Sequence, residues 1–88
     1  MKIERVVYSR SFAKKLAKFS HKDRQKILRK VTLFWQDPFT PSLKTHKLAG
    51  SLAGCWSFSL AANLRIMFRF VTDKTVEFVD IGTHEIYK

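Results

Sequence analysis

In residues 56–60 and 64–70 every second side chain is large and apolar, and Ala61-Ala62-Asn63 joins the two segments. A period of two residues is that of a β-strand with one buried face. A connection this short allows only antiparallel pairing. The two segments therefore predict a β-hairpin whose even-numbered side chains face the core of the protein.

Two amphipathic helices are predicted before the hairpin. The first has apolar residues spaced four and three positions apart, at Phe12, Leu16 and Phe19. Ser9 or Ser11 offers this helix an N-cap. Ser20 opens Ser-His-Lys-Asp, a start for the second helix that resembles a capping box. This helix ends at Asp37, because the residue before a proline is disfavoured in the α region. The pair predicts an αα-hairpin with a strongly basic exterior.

Strands are predicted at both ends of the chain. Residues 2–8 are rich in β-branched side chains, and residues 75–81 give a last strand after a turn. Residues 39–54 predict an ordered loop with room for one short extended piece. The order β-α-α-β-β-β predicts one α+β domain over residues 1–88, with both helices on one face of a four-stranded, mainly antiparallel sheet. The opposite, open face would then carry Ser57, Ser59, Arg65 and Arg69.

The charge is unevenly distributed along the chain. Lys and Arg number 17 against 7 Asp and Glu, a net charge of +10. Residues 1–50 hold 13 basic and 3 acidic side chains, whereas residues 51–88 hold 4 of each. Such a field attracts polyanions, nucleic acid above all. No apolar run approaches the roughly 20 residues that span a bilayer, and the N-terminus lacks the form of a signal peptide, so we expect a cytoplasmic protein that does not bind membranes.

Side chains suited to phosphate chemistry lie in the loop and on the open face. Lys44, His46 and Lys47 occupy the loop, beside the face that carries Arg65 and Arg69. The planar fork of arginine and the compact charge of lysine both suit phosphate oxygens. Arginines on an exposed strand are more often ordinary surface residues. Arg65 differs because it follows the hairpin turn directly, close to the loop.

Two of the three histidines are candidates for proton transfer, for which imidazole is the side chain best suited near neutral pH. His21 begins a helix among lysines and is typical of a solvated surface residue. His46 lies in the basic loop, and His84 comes shortly after the last predicted strand. The chain that leaves a meander can return toward the hairpin. The topology therefore predicts that His46 and His84 face each other across Arg65.

Metal chemistry has no support in the sequence. Cys55 is the only cysteine, so no internal disulfide is possible, and no Cys/His spacing for zinc is present. Cys55 is typical of a small, half-buried apolar residue. We therefore predict no metal site and no cofactor.

Four motifs together resemble one family. They are Tyr-Ser-Arg-Ser-Phe at 8–12, Pro-Ser-Leu-Lys-Thr-His-Lys-Leu at 41–48, Leu-Arg-Ile-Met-Phe-Arg-Phe at 64–70 and Asp-Ile-Gly-Thr-His-Glu-Ile-Tyr at 80–87. With Gly-Ser-Leu-Ala-Gly-Cys-Trp-Ser-Phe at 50–58, they make the whole chain similar to the RelE/ParE superfamily of type II toxin-antitoxin toxins. The nearest branch is that of the YafQ-like mRNA interferases.

This resemblance implies a microbial-RNase-like fold and an endoribonuclease that cuts mRNA in the ribosomal A site without a metal. It implies a cognate antitoxin as partner, with any contact to operator DNA made through that antitoxin. By position, His46 and His84 match the family's acid/base histidines, and Arg65 matches the arginine that faces the scissile phosphate. The resemblance also assigns RNA binding to two basic loop residues and one C-terminal aromatic residue: Lys44, Lys47 and Tyr87. Arg69 joins them as an RNA-binding candidate from its place on the open face.

Two hairpin positions depart from the YafQ-like pattern. Ser59 and Asn63 stand where that branch has a histidine and an aspartate. Neither exchanges a proton as those groups do, which predicts weakened catalysis. Two alternatives stay open: a ParE-like toxin that inhibits DNA gyrase, which has no use for the cluster of histidines and arginine, and a catalytically degenerate basic RNA-binding module.

Overall fold

A helical layer covers one face of a mixed sheet in the computed structural model, which describes residues 1–83 and Ile86. The elements in chain order are β1 Arg5–Tyr8, α1 Arg10–Ala17, α2 His21–Gln36, β2 His46–Lys47, β3 Trp56–Ala61, β4 Leu64–Phe70 and β5 Thr75–Gly82. Short 3₁₀ helices at Pro41–Leu43 and Gly50–Leu52 lie on either side of β2. Among the described residues, no helix is long and apolar enough to cross a membrane.

The sheet has five strands in the order β1-β5-β4-β3-β2. Strands β2 to β5 pair antiparallel, and β1 joins the edge parallel to β5, with Val6 opposite Val76. The predicted α+β class is confirmed, as are the hairpin and the meander. The prediction of four strands missed β2, because a two-residue strand is too short to show any periodicity.

Both helices begin at a serine cap. The Ser9 hydroxyl accepts a hydrogen bond from the Phe12 amide at 3.0 Å and donates one to the Val79 carbonyl at 2.7 Å. Ser20 accepts from the Asp23 amide at 3.1 Å. The cap of α1 is thus Ser9 rather than Ser11, and it also ties the helix to β5. Asp37 is the C-cap of α2, as the following proline predicts.

The core between the helices and the sheet is built largely from phenylalanine rings. Phe34 of α2 is fully buried and stacks on Phe58 of β3, with ring centroids 4.6 Å apart. It also meets the edges of Phe68 and Phe78. Burying one such ring stabilises the fold by roughly 1.5–3 kcal/mol. These contacts fix the position of the hairpin under α2.

The opposite face of the sheet is less open than predicted. Ser57 has no exposed surface, and Met67, which pairs with it, is 6% exposed. Ser57 lies in β3, with His46 of β2 as its cross-strand neighbour on one side and Met67 of β4 on the other. This face is therefore accessible toward its two ends, where Ser59 and Arg65 lie at one end and Arg69 at the other.

Candidate nucleic-acid interface

A cleft of about 280 Å³ opens where α2, the 3₁₀ helix Pro41–Leu43 and the β3–β4 turn meet. We call it the basic cleft. Among the described residues, those that line it are Lys30, Ser42, Lys44, Ser59, Leu60, Ala61, Ala62 and Arg65. Three of these carry a positive charge and none carries a negative one. An arrangement of this kind suits an anion.

The cleft exists because β2 is so short. It pairs with β3 only at Trp56 and Ser57, so the 3₁₀ helix rather than a strand lies beside the remainder of β3. Ser59 is opposite Arg65 in the β3–β4 ladder, and residues paired in this way project from the same face. Ser59 and Arg65 therefore line the cleft together.

Lys44 enters the cleft through an uncommon backbone conformation. Its φ angle is +52°, in the left-handed region, at the point where the 3₁₀ helix ends and the chain turns into β2. Its amide donates to the Pro41 carbonyl at 3.1 Å. The next residue, Thr45, bonds through its hydroxyl to the carbonyl of Pro38. This stretch of the loop is therefore held by its own hydrogen bonds, as the prediction of an ordered loop requires.

His46 lies on the same face as the cleft residues but outside the cleft lining. It is exposed and pairs with Ser57 in β2. Two strand spacings and a two-residue offset separate it from Arg65, which corresponds to about 12 Å between Cα atoms. Its Nδ1 lies 3.0 Å from the Lys44 carbonyl oxygen. Because a carbonyl only accepts, Nδ1 carries the proton, and Nε2 of the neutral ring is left as an acceptor.

Lys47 and Arg69 do not join this group. Successive side chains of a strand point to opposite faces. Lys47 accordingly projects to the helix side of β2, with its Nζ 5.4 Å from the centre of the Trp56 ring. Arg69 lies four residues along β4 from Arg65, about 13 Å away, and its Nε donates to Glu77 at 2.7 Å. The described members of the predicted RNA-binding set are thus divided, and among these three Lys44 is the one that lines the cleft.

Two predicted site residues, His84 and Tyr87, lie outside the described residues. The described residue Gly82 is close to both of them in the sequence. Gly82, two positions before His84, is the cross-strand neighbour of Arg65 in the β4–β5 ladder.

Comparison with known proteins identifies the fold. No protein-family model matches the sequence, and a search of curated proteins finds no match. Solved structures do match. YafQ from E. coli strain BL21(DE3) has a TM-score of 0.72 and 27% identity, over 98% of this chain and 98% of YafQ. A chain of the E. coli DinJ-YafQ toxin-antitoxin complex has a TM-score of 0.73 and 28% identity, over 98% of this chain and 97% of that one.

The chain belongs to the RelE/ParE toxin superfamily. A YoeB/ParE toxin from Agrobacterium tumefaciens shares the fold with a TM-score of 0.76, over 92% of this chain and 99% of the toxin, at 21% identity. Each of these matches covers 92% or more of both chains, so the similarity extends over nearly the whole fold. The predicted resemblance is thereby confirmed.

Lys30 is a cleft residue that was not predicted as part of the site. It belongs to the basic exterior that the sequence predicts for the two helices. The inward positions of α2 are Ile27, Val31 and Phe34, and Lys30 follows Ile27 by three residues and precedes Phe34 by four. This spacing places Lys30 at the border of the apolar stripe. The spacing was the signal that distinguished it from fully exposed lysines such as Lys22.

Metal-ligating side chains are scattered over the described part of the chain. Among residues 1–83 and Ile86, no group of three or more His, Cys, Asp and Glu side chains is arranged to hold a metal ion. The chemistry available to the described part of the cleft is that of cations, hydroxyl groups and the nearby imidazole.

Proposed function

We propose that this protein is the toxin of a type II toxin-antitoxin module and a metal-independent, ribosome-dependent endoribonuclease that cleaves mRNA. The observation that carries the proposal is the convergence of Arg65, Lys44 and Ser59 in one cleft, with His46 on the same face of the sheet. The fold shared with YafQ and with a YoeB/ParE toxin supports it. The ribosome and the mRNA substrate are part of the proposal.

Arg65 and Lys44 would hold the scissile phosphate. A guanidinium binds two phosphate oxygens through its fork, and an ammonium adds a compact charge. Negative charge grows on the non-bridging oxygens when an oxygen attacks the phosphorus. Cations already in place stabilise that charge more than they stabilise the ground state. Arg65 is thus the residue on which the rate depends most among those described.

His46 would act as the base. Its Nδ1–H is oriented by the Lys44 carbonyl, so Nε2 is the atom that takes the proton from the 2′-OH. The 2′ oxygen then bonds to phosphorus, and the bond from phosphorus to the 5′ oxygen breaks. His84 is proposed as the acid that protonates the leaving 5′ oxygen, with Tyr87 against the RNA. The products are a 2′,3′-cyclic phosphate and a 5′-hydroxyl.

Two residues bear on the rate. Ser59 lies in the cleft opposite Arg65, where its hydroxyl can bond a phosphate oxygen but exchanges no proton near neutral pH. Asn63 is exposed in the hairpin turn. The YafQ-like pattern has a histidine and an aspartate at these two positions. We propose that the enzyme is slower than its YafQ-like relatives for this reason.

The proposed partner is a cognate antitoxin protein. A structure similar to this chain was solved as the DinJ-YafQ toxin-antitoxin complex. By analogy, the antitoxin would cover the toxin until it is degraded, and any contact with operator DNA would run through the antitoxin. The proposed target, mRNA in the ribosomal A site, places the active protein in the cytoplasm.

A cleavage assay with matched arginine variants tests the proposal. Purified protein is mixed with mRNA, with and without translating ribosomes, and cut sites are mapped by primer extension. We expect cleavage only with ribosomes. Arg65→Ala should lower the rate about 100-fold or more, the size of effect seen when one oxyanion donor is removed. Arg69→Ala, on the same strand but paired with Glu77, is the control and should stay within about threefold of the unaltered protein.

Equal losses in the two arginine variants would contradict the assignment of Arg65. Inhibition of gyrase-catalysed DNA supercoiling without RNA cleavage would instead support the ParE-like alternative. Circular dichroism of each variant shows whether a loss of activity reflects a loss of fold.

A further inference from the structure

Lys30 is the one cleft cation that comes from the helical layer. It is half-buried and faces the hairpin residues across the basic cleft. Its helix neighbours three and four positions away are Lys26, Ile27, Leu33 and Phe34, so no carboxylate of α2 can pair with it. Between described residues, the ion pairs use Lys15, Arg69 and Lys74 as cations, and Lys30 takes part in none of them.

The cleft carries more positive charge than one phosphate needs. Three of its eight described lining residues are cations, and none of these eight is a carboxylate. Lys30 and Lys44 take part in no ion pair between described residues, and the repulsion between neighbouring cations is relieved when anions enter. One phosphodiester brings a single negative charge. Even without Arg65, the two lysines are therefore better matched to two successive phosphates of one strand.

The remaining lining residues fit the rest of such a strand. Leu60, Ala61 and Ala62 form an apolar wall at the hairpin turn, against which a ribose or the face of a base can lie. Ser42 supplies a hydroxyl on the side of the 3₁₀ helix. The volume of about 280 Å³ has room for more than one phosphate group.

We infer that the Lys30 side of the basic cleft is a second phosphate subsite, which binds the phosphate next to the scissile one in a single-stranded RNA. This inference rests on the proposed function, because it takes the Arg65 side to hold the scissile phosphate. Lys30 is then a binding and positioning residue. Its loss should raise KM and leave kcat nearly unchanged, whereas loss of Arg65 lowers kcat.

The test uses a 2′-O-methyl trinucleotide, which has two phosphates and cannot be cleaved by 2′-OH attack. Three versions are compared: the unmodified trinucleotide and one with a neutral methylphosphonate at each of the two linkages. Affinities for the unaltered protein, Lys30→Gln, Arg65→Gln and Lys22→Gln are measured by NMR titration, which also reports on the fold. Lys22 is the control because it lies on the same helix about 12 Å away and undergoes the same change of charge.

Lys30→Gln should weaken binding of the unmodified trinucleotide about fivefold to tenfold, and Lys22→Gln less than twofold. The slope of log Kd against log salt should fall by about 0.7 for Lys30→Gln, the value for one phosphate contact on a single strand. A methylphosphonate at the linkage that occupies the Lys30 subsite should abolish the difference in affinity between Lys30→Gln and the unaltered protein. A methylphosphonate at the linkage beside Arg65 should leave that difference intact and should abolish the effect of Arg65→Gln on affinity.

Three results would overturn the inference: no binding of the trinucleotide by the unaltered protein, equal losses for Lys30→Gln and Lys22→Gln, or a Lys30 effect that is the same for both methylphosphonates. A fall in melting temperature without a change in affinity of the folded protein would also overturn it, since Lys30 would then only cover the apolar stripe with its stem. The binding assay needs no cleavage. If the protein fails to cleave mRNA on ribosomes but the effect of Lys30→Gln still depends on one of the two linkages, the subsite stands and the proposed activity falls. If the protein cleaves mRNA but Lys30→Gln has no such effect, only the subsite is wrong.

Discussion

At the scale of single residues, Lys44 combines a positive charge in the cleft with a left-handed backbone. Outside glycine this conformation costs about 1 kcal/mol or more. Strain of this kind is often kept where it positions a functional group. Here it turns the chain from the 3₁₀ helix into β2 and directs the Lys44 carbonyl to His46.

Two substitutions at position 44 separate the backbone from the charge. Lys44→Gly relieves the strain but adds freedom to the unfolded chain, so we expect a change in the free energy of unfolding below about 0.5 kcal/mol. Lys44→Val keeps the conformation with a β-branched side chain and should lower that free energy by about 1 kcal/mol. Both variants should weaken RNA binding equally, because both lose the charge. Denaturant melts measure the free energy of unfolding, and titration with the trinucleotide measures the affinity. Full affinity in Lys44→Gly would show that the charge does not contribute.

Position 82 is a glycine because the side chain of Ile86 lies too close to leave room for a Cβ. An ideal Cβ at this position would lie 2.7 Å from Cγ2 of Ile86. Gly82 is also the cross-strand neighbour of Arg65. Gly82→Ala should therefore displace Ile86 and, with it, the chain segment that contains His84, and lower the rate of RNA cleavage at least tenfold. The double variant Gly82→Ala/Ile86→Ala removes the clash and should recover part of the rate, which a kinetic double-mutant cycle measures. Identical rates for the single and the double variant would contradict this explanation.

The candidate site could be predicted only in part from the residues. Lys44 and Arg65 lie together as expected, because the turn and the loop bring them to the same end of β3. Lys47 was assigned to the same group, but β2 is a strand, and adjacent side chains on a strand point to opposite faces. Helical spacing indicates that Lys30 borders the apolar stripe of α2, but its place in the cleft also depends on where α2 crosses the sheet.

At the scale of elements, the two helix caps differ in what they hold together. Ser9 bonds both to its own helix and to the Val79 carbonyl of β5, whereas the hydroxyl of Ser20 bonds to the Asp23 amide at an exposed position. Ser9→Ala should lower the free energy of unfolding by about 2 kcal/mol, because it removes one helix cap and one tertiary hydrogen bond. Ser20→Ala should cost about 0.5–1 kcal/mol. Thermal melts check this, since about 1 kcal/mol shifts the melting temperature of a domain of this size by roughly 4–8 °C. Equal shifts would mean that the bond to β5 contributes nothing.

Periodicity located the long elements and missed the short one. The hairpin, both helices and the last strand have clear repeats of two or 3.6 residues, and their bounds agree with prediction to within a few residues. Strand β2 has two residues and no repeat. It nevertheless decides the shape of the site, because its early end leaves room for the cleft beside β3. Ser57 is a second example. The alternating pattern predicts correctly on which face of the sheet Ser57 lies, but it does not predict that Ser57 is fully buried there.

At the scale of the whole molecule, the cationic first half and the neutral second half meet at the cleft. Lys30 and Lys44 come from residues 1–50, which hold 13 basic and 3 acidic side chains, and the hairpin supplies Arg65. A long-range positive field of this kind accelerates the encounter with RNA. In the proposed function, the cleft then contacts the phosphates of that RNA. The net charge alone would fit any RNA-binding module, so the reaction product is what distinguishes a catalyst from such a module.

The chemistry of the cut ends tests the central claim most directly. An mRNA is cleaved on ribosomes, and the ends are identified by their reactivity toward polynucleotide kinase and by mass spectrometry. The proposed mechanism predicts a 2′,3′-cyclic phosphate on the upstream fragment and a 5′-hydroxyl on the downstream one, with no cut at a site carrying a single 2′-deoxy substitution. A 5′-phosphate on the downstream fragment, or cleavage at the 2′-deoxy site, would contradict it.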